Sequence, residues 1–85
     1  MAKGDKYIAL TAFFERCDQE TIHMSFQKIE SIIGTNLPAS AYKYSAFWSN
    51  SESHMIGISW MSAGYESQNV NMTNQTIEFV KVDRL

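Results

Sequence analysis

Apolar residues recur at Tyr7, Leu10, Phe14 and Cys17, steps of three and four residues that gather them on one face of a helix. Phe13 widens that face and the polar run Asp18-Gln19-Glu20 ends it, so helix one is expected from Tyr7 to near Cys17, with Cys17 on its apolar side. From Thr21 to Phe26 the period changes to two: Ile22, Met24 and Phe26 fall on one side and Thr21, His23 and Ser25 on the other, as in a short, half-buried edge strand. Ser25 is placed to cap helix two, whose stripe is Phe26, Ile29, Ile32 and Ile33 and whose left-handed stop is Gly34.

After Thr35-Asn36-Leu37, Pro38 suits the first turn of a helix, where its missing amide hydrogen would have had no partner. Helix three is expected over residues 38–49, with Ala41, Tyr44, Phe47 and Trp48 on one stripe and Ser40, Tyr42, Lys43 and Ser45 on other faces. Ser49 to Ser53 is a polar break, and Ser53 is placed to cap helix four, His54 to Ala63, with Gly64 as its stop. Met55, Ile56, Ile58, Trp60 and Met61 leave that helix little polar face, which predicts packing on more than one side. Gly57 within it costs about 1 kcal/mol of helix propensity relative to alanine and predicts a close backbone approach, with helix three as the expected neighbour. The remainder turns to β: Tyr65 to Met72, a turn at Thr73-Asn74-Gln75, and Thr76 to Val82, in which Ile77 and Phe79 alternate with Thr76, Glu78 and Val80.

These elements make an α+β domain of four short helices with a small antiparallel sheet, formed from the short strand and the C-terminal hairpin. Two short helices joined by about four residues have the order of a helix-turn-helix, and with the hairpin behind them the layout is winged-helix-like, carrying one extra helix. Residues 1–5 are expected to form a flexible N-terminus, with Asp5 placed to cap helix one, and 6–85 a single domain.

With 85 residues, 45% of them hydrophobic, the chain has material for one core, so most of its eleven aromatics are expected to be structural. The net charge of −2 and a pI near 5.5 are unlike the basic body of a protein that grips nucleic acid by phosphate neutralisation, so any such affinity must be local. One cysteine excludes an internal disulfide framework and a multi-cysteine zinc site, and two isolated histidines match no metal-ligand spacing. No cofactor or metal is therefore expected. The four glycines stand singly, without a phosphate-binding loop. No apolar run has the length of a signal peptide or membrane span, which predicts a cytoplasmic protein with no membrane partner and makes the acceptor patterns at Asn71 and Asn74 idle.

The residues Phe26, Ile29, Glu30, Gly34, Leu37, Pro38, Ser40 and Ala41, then Phe47, Trp48 and Asn50, then Trp60, Ala63, Gly64 and Tyr65, form a spaced pattern. It resembles a family of small bacterial and phage proteins or terminal modules classed as a domain of unknown function, over roughly residues 6–82. The resemblance implies a compact α/β arrangement and a bacterial or phage setting, and it implies no activity. Two positions depart from the pattern: Phe47 stands where tryptophan is usual, and Met55 and Ile56 stand where polar residues are expected after His54.

Catalysis needs a nucleophile with a base, or paired carboxylates in a cleft. Cys17, His23, His54 and Glu30 are scattered, and only a spatial pairing of Cys17 with His54 would change that, so the chain is expected not to be an enzyme. Three binding readings remain. The first, preferred on topology although the charge opposes it, is nucleic-acid contact through helix three and its flanking loop, with Ser40, Tyr42, Lys43, Trp48, Asn50 and His54 as candidate residues and Lys28, Lys43, Lys81 and Arg84 as a local basic patch. The second is an acidic and aromatic surface that docks on a host protein, such as a phage-encoded inhibitor of a defence nuclease or an anti-CRISPR-like protein, carried by Asp18, Glu20, Glu30, Glu52 and Glu66 with Tyr42 and Trp48. The third is a pocket for a nucleotide or other small ligand between helices three and four, lined by Trp48, Trp60, Tyr44 and His54. A homodimer is compatible with each.

Overall fold

The computed structural model describes residues 7–51 and 53–82. The expectations placed on residues 1–5, Asp5, Glu52 and Arg84 lie outside them. The element order is α1 (Ile8–Arg16), β1 (Thr21–Ser25), α2 (Phe26–Ile33), α3 (Ala39–Lys43), a 3-10 turn (Ser45–Trp48), α4 (Met55–Met61), β2 (Tyr65–Asn71) and β3 (Thr76–Lys81). Among the described residues this is an α+β fold with four α-helices and one antiparallel sheet.

The sheet order is β1-β3-β2, so the last strand is central and β1 is an edge, as its length predicts. Ile22 pairs with Phe79 and Met24 with Ile77, which puts the four apolar side chains on one face beneath the helices. The opposite face carries the row His23, Glu78 and Gln68. There the Glu78 carboxylate lies 3.3 Å from His23 Nδ1 and accepts from Gln68 Nε2 at 3.0 Å and Asn69 Nδ2 at 3.1 Å. Those two amide hydrogen bonds hold the Glu78 carboxyl below its ordinary value, with His23 a smaller contributor.

The core is an aromatic chain. Phe26 stacks on Trp48 at 4.5 Å, Trp48 on Trp60 at 6.2 Å, Trp60 meets Phe79 at 4.9 Å, Phe79 meets Phe14 at 4.7 Å and Phe14 meets Tyr65 at 5.2 Å between ring centres. It joins α2, the 3-10 turn, α4, β3, α1 and β2 in one continuous contact, and both indoles are buried. Each such pair contributes about 0.5–1.5 kcal/mol beyond the area it buries. Tyr65 also ties down the α1–β1 connection, its hydroxyl donating to the carbonyl of Gln19 at 2.7 Å.

Helix two follows its local signals. Ser25 Oγ accepts from Lys28 N at 3.0 Å, and Gly34 closes the helix at φ 77°. The strand before it ends at Ser25, because Phe26 already belongs to α2. Helix three departs from expectation: it stops at Lys43, Tyr44 is extended at φ −126° and ψ 120°, and the chain resumes as the 3-10 turn. The cause is Trp48, whose indole N–H donates to the carbonyl of Ala41 at 2.9 Å within the buried core. The expected stripe is thereby divided, with Ala41 and Trp48 inside and Tyr44 outside.

Helix four starts one residue later than expected. Its N-cap is His54, without a side-chain cap bond, while Ser53 bonds to Ser51 instead. Gly57 does meet backbone closely, but the partner is the loop before α4: a Cβ there would lie 2.8 Å from the Ser51 carbonyl oxygen and 3.2 Å from that of Ser49. Cys17 is the half-buried residue that caps α1 at its C-terminus.

Candidate functional site: an apolar groove beside α3 and α4

Because Tyr44 leaves the helix in an extended conformation, its ring turns away from the aromatic core and becomes one wall of a surface groove. Tyr7 at the start of α1, Ser40 on α3, Ala46 and Phe47 on the 3-10 turn, and His54, Met55 and Ile56 at the start of α4 complete it. The groove has a volume of about 480 Å3 and an apolar surface. Tyr44 and Met55, both groove-lining, remain 61% and 52% exposed, while Ile8, next to Tyr7, and Ile58, one turn beyond Met55, remain 62% and 43% exposed. These are the large hydrophobic side chains that the described residues leave in water.

The polar groups of the groove are few. With its proton on Nδ1, His54 donates to the Phe47 carbonyl at 3.4 Å, which leaves Nε2 as an acceptor. Ser40, half-buried on α3, adds a hydroxyl. Among the described residues no carboxylate and no ammonium group lines the groove.

Residues 7–82 match DUF7662, a domain of unknown function. The chain belongs to the DUF7662 family. No curated protein and no solved structure matches it.

Within this DUF7662 domain the six candidate residues divide into two groups. Ser40 and His54 line the groove, and exposed Lys43 immediately precedes groove-lining Tyr44 in sequence. Tyr42, Trp48 and Asn50 are committed to internal bonds. Glu30 Oε2 accepts from Tyr42 Oη at 2.8 Å and from Leu37 N at 2.9 Å, which fastens the entry of α3 to α2. Burial, reinforced by the hydrogen bond and negative charge of Glu30, pushes the Tyr42 hydroxyl up to about 12. Trp48 is core, as above.

Asn50 accepts from Trp60 Nε1 at 2.9 Å and from Ser67 N at 2.7 Å through Oδ1, while Nδ2 donates to the Ser67 carbonyl at 3.0 Å. Its amide thus satisfies a buried indole and pairs with the outer edge of β2 as a strand would. Of the four residues expected to line a pocket between helices three and four, Tyr44 and His54 line the groove, whereas Trp48 and Trp60 are buried and stack on each other.

The spatial pairing of Cys17 with His54 is also not formed. His54 shares its groove with Tyr7 at the start of α1, whereas Cys17 lies at that helix's far end, about 15 Å from Tyr7 at about 1.5 Å per residue. Among the described residues no His, Cys, Asp and Glu side chains gather in threes. Phe47, Met55 and Ile56, which line the groove, are not among the six candidate residues. For the outward turn of Tyr44 no local signal exists.

Proposed function

We propose that this DUF7662 domain is a non-enzymatic binding module that docks an apolar segment of a protein partner in the groove between α3 and α4. The observation that carries the reading is the open groove, without a charged lining residue among those described, walled by Tyr44, Phe47, Met55 and Ile56, with exposed Ile8 and Ile58 beside its lining residues. Monomeric proteins seldom leave such side chains together in water unless a partner covers them, and aromatic residues and methionine are enriched where partners meet. A host protein in a bacterial or phage setting, including a defence nuclease, belongs to this reading. The described acidic residues then serve solubility rather than contact, since none of them lines the groove.

Nucleic acid is the second reading, favoured by exposed Lys43 in the last turn of α3, the helix that a winged-helix arrangement would present. Net charge −2 and an apolar surface weigh for protein.

Selection of a random peptide library on the wild-type chain, with Met55→Lys as the counter-selection, tests the two readings. Peptides with apolar anchors that bind the wild type and not Met55→Lys are expected. Absence of such peptides, together with salt-reversible binding of a labelled mixed duplex that Lys43→Ala abolishes, would replace the protein reading with nucleic acid.

A further inference from the structure

Resting on the groove reading, the charge around the groove narrows its occupant. Among the described residues from Gly34 to Gly64, Lys43 carries the only formal charge when His54 is neutral. Ser40 and Lys43 are three residues apart on α3 and share a helix face, and Ser40 lines the groove, as does Tyr44, the next residue after Lys43. The Lys43 side chain is exposed and has no ion-pair partner among the described residues. A groove with apolar walls, a hydroxyl and a ring-nitrogen acceptor, next in sequence to a lysine without an ion-pair partner among the described residues, is complementary to an amphipathic segment with an anionic flank.

We infer that the groove takes a peptide segment in which an apolar anchor stands next to an Asp or Glu side chain, the anchor lying between Tyr44 and Met55 and the carboxylate reaching Lys43. The His54 Nε2 acceptor and the Ser40 hydroxyl are left for the peptide backbone. An Asp or Glu here gains an ion pair, whereas a Lys or Arg at the same place meets a like charge.

Three end-blocked peptides of the form Ac-X-Leu-Trp-amide, with X as Glu, Gln or Lys, test this by amide chemical-shift titration of the wild type and of Lys43→Ala. The expected order is Glu tighter than Gln, and Gln tighter than Lys. The gain of Glu over Gln should be about twofold to fivefold, the size of one solvent-exposed ion pair, and should vanish in Lys43→Ala. Shifts should centre on Tyr44, Phe47, His54 and Met55. Equal binding of Glu and Gln peptides at those residues, or a Glu advantage that survives Lys43→Ala, would overturn the acidic-segment inference while the groove reading stands. Absence of shifts at the groove with all three peptides would overturn the groove reading itself.

Discussion

Asn50 shows how one side chain serves two surfaces that sequence spacing does not connect. It satisfies the buried Trp60 indole and the edge of β2 together, so Asn50→Ala leaves a buried N–H without an acceptor. That loss costs about 1–3 kcal/mol, and the urea midpoint should fall with the slope unchanged. Asn50→Asp keeps the acceptor and should recover part of the difference.

Tyr42 supplies a pH signature. Its folded value of about 12 lies above its ordinary 10, so the folded state holds the proton more tightly. The resulting stability is complete below about pH 10 and is lost as pH rises toward about 12. The fall of the urea midpoint across that window should be shallower in Tyr42→Phe than in wild type. It should not disappear, because burial raises the Tyr65 hydroxyl as well. Tyrosine at 42 was legible as a polar-capable residue near α3. Its bond to Glu30, twelve residues back, was not.

At the level of elements, local signals were read well wherever the element depended on local chemistry. Ser25 and Gly34 bound α2, the alternation from Ile22 to Met24 and from Ile77 to Phe79 sets the inner face of the sheet, and the turn falls at residues 72–75. Helix three was misread because its break is imposed from outside, by the Trp48 indole reaching back to Ala41 and by stacking with Phe26 and Trp60. Helical periodicity places Tyr44, Phe47 and Trp48 on one stripe; the core accepts Trp48 alone in full, with Phe47 half-buried. The groove is the consequence of that division, which is why no pattern of residues announced it.

The Gly57 contact offers a direct check on α4. Helix propensity alone would make Gly57→Ala stabilising by about 1 kcal/mol. A Cβ at 2.8 Å from the Ser51 carbonyl oxygen must displace backbone, so the substitution should instead destabilise by about 1–3 kcal/mol, read as a lower urea midpoint.

On the scale of the whole molecule, the described acidic residues and the groove are separated. The described acidic residues lie on α1, the α1–β1 connection, α2 and the hairpin, and the segment from α3 to α4 carries Lys43. Among the described residues no helix is long and apolar enough to cross a membrane. The sheet turns a polar row of His23, Glu78 and Gln68 to solvent, whereas the groove side presents Tyr44 and Met55. Membership of the DUF7662 family covers residues 7–82, and the proposed reading assigns binding to the groove within them.

Because Met55 is half in water, Met55→Lys should leave stability within about 0.5 kcal/mol of wild type, which makes it a clean probe of the groove. The measurement that bears most directly on the groove is the affinity of one peptide, selected on the wild-type chain without counter-selection, for the wild-type and Met55→Lys chains, by fluorescence polarisation. A loss of about tenfold or more in Met55→Lys, of the size expected for an interface anchor, is the result predicted. Equal affinity for the two folded chains would contradict the groove as the docking site.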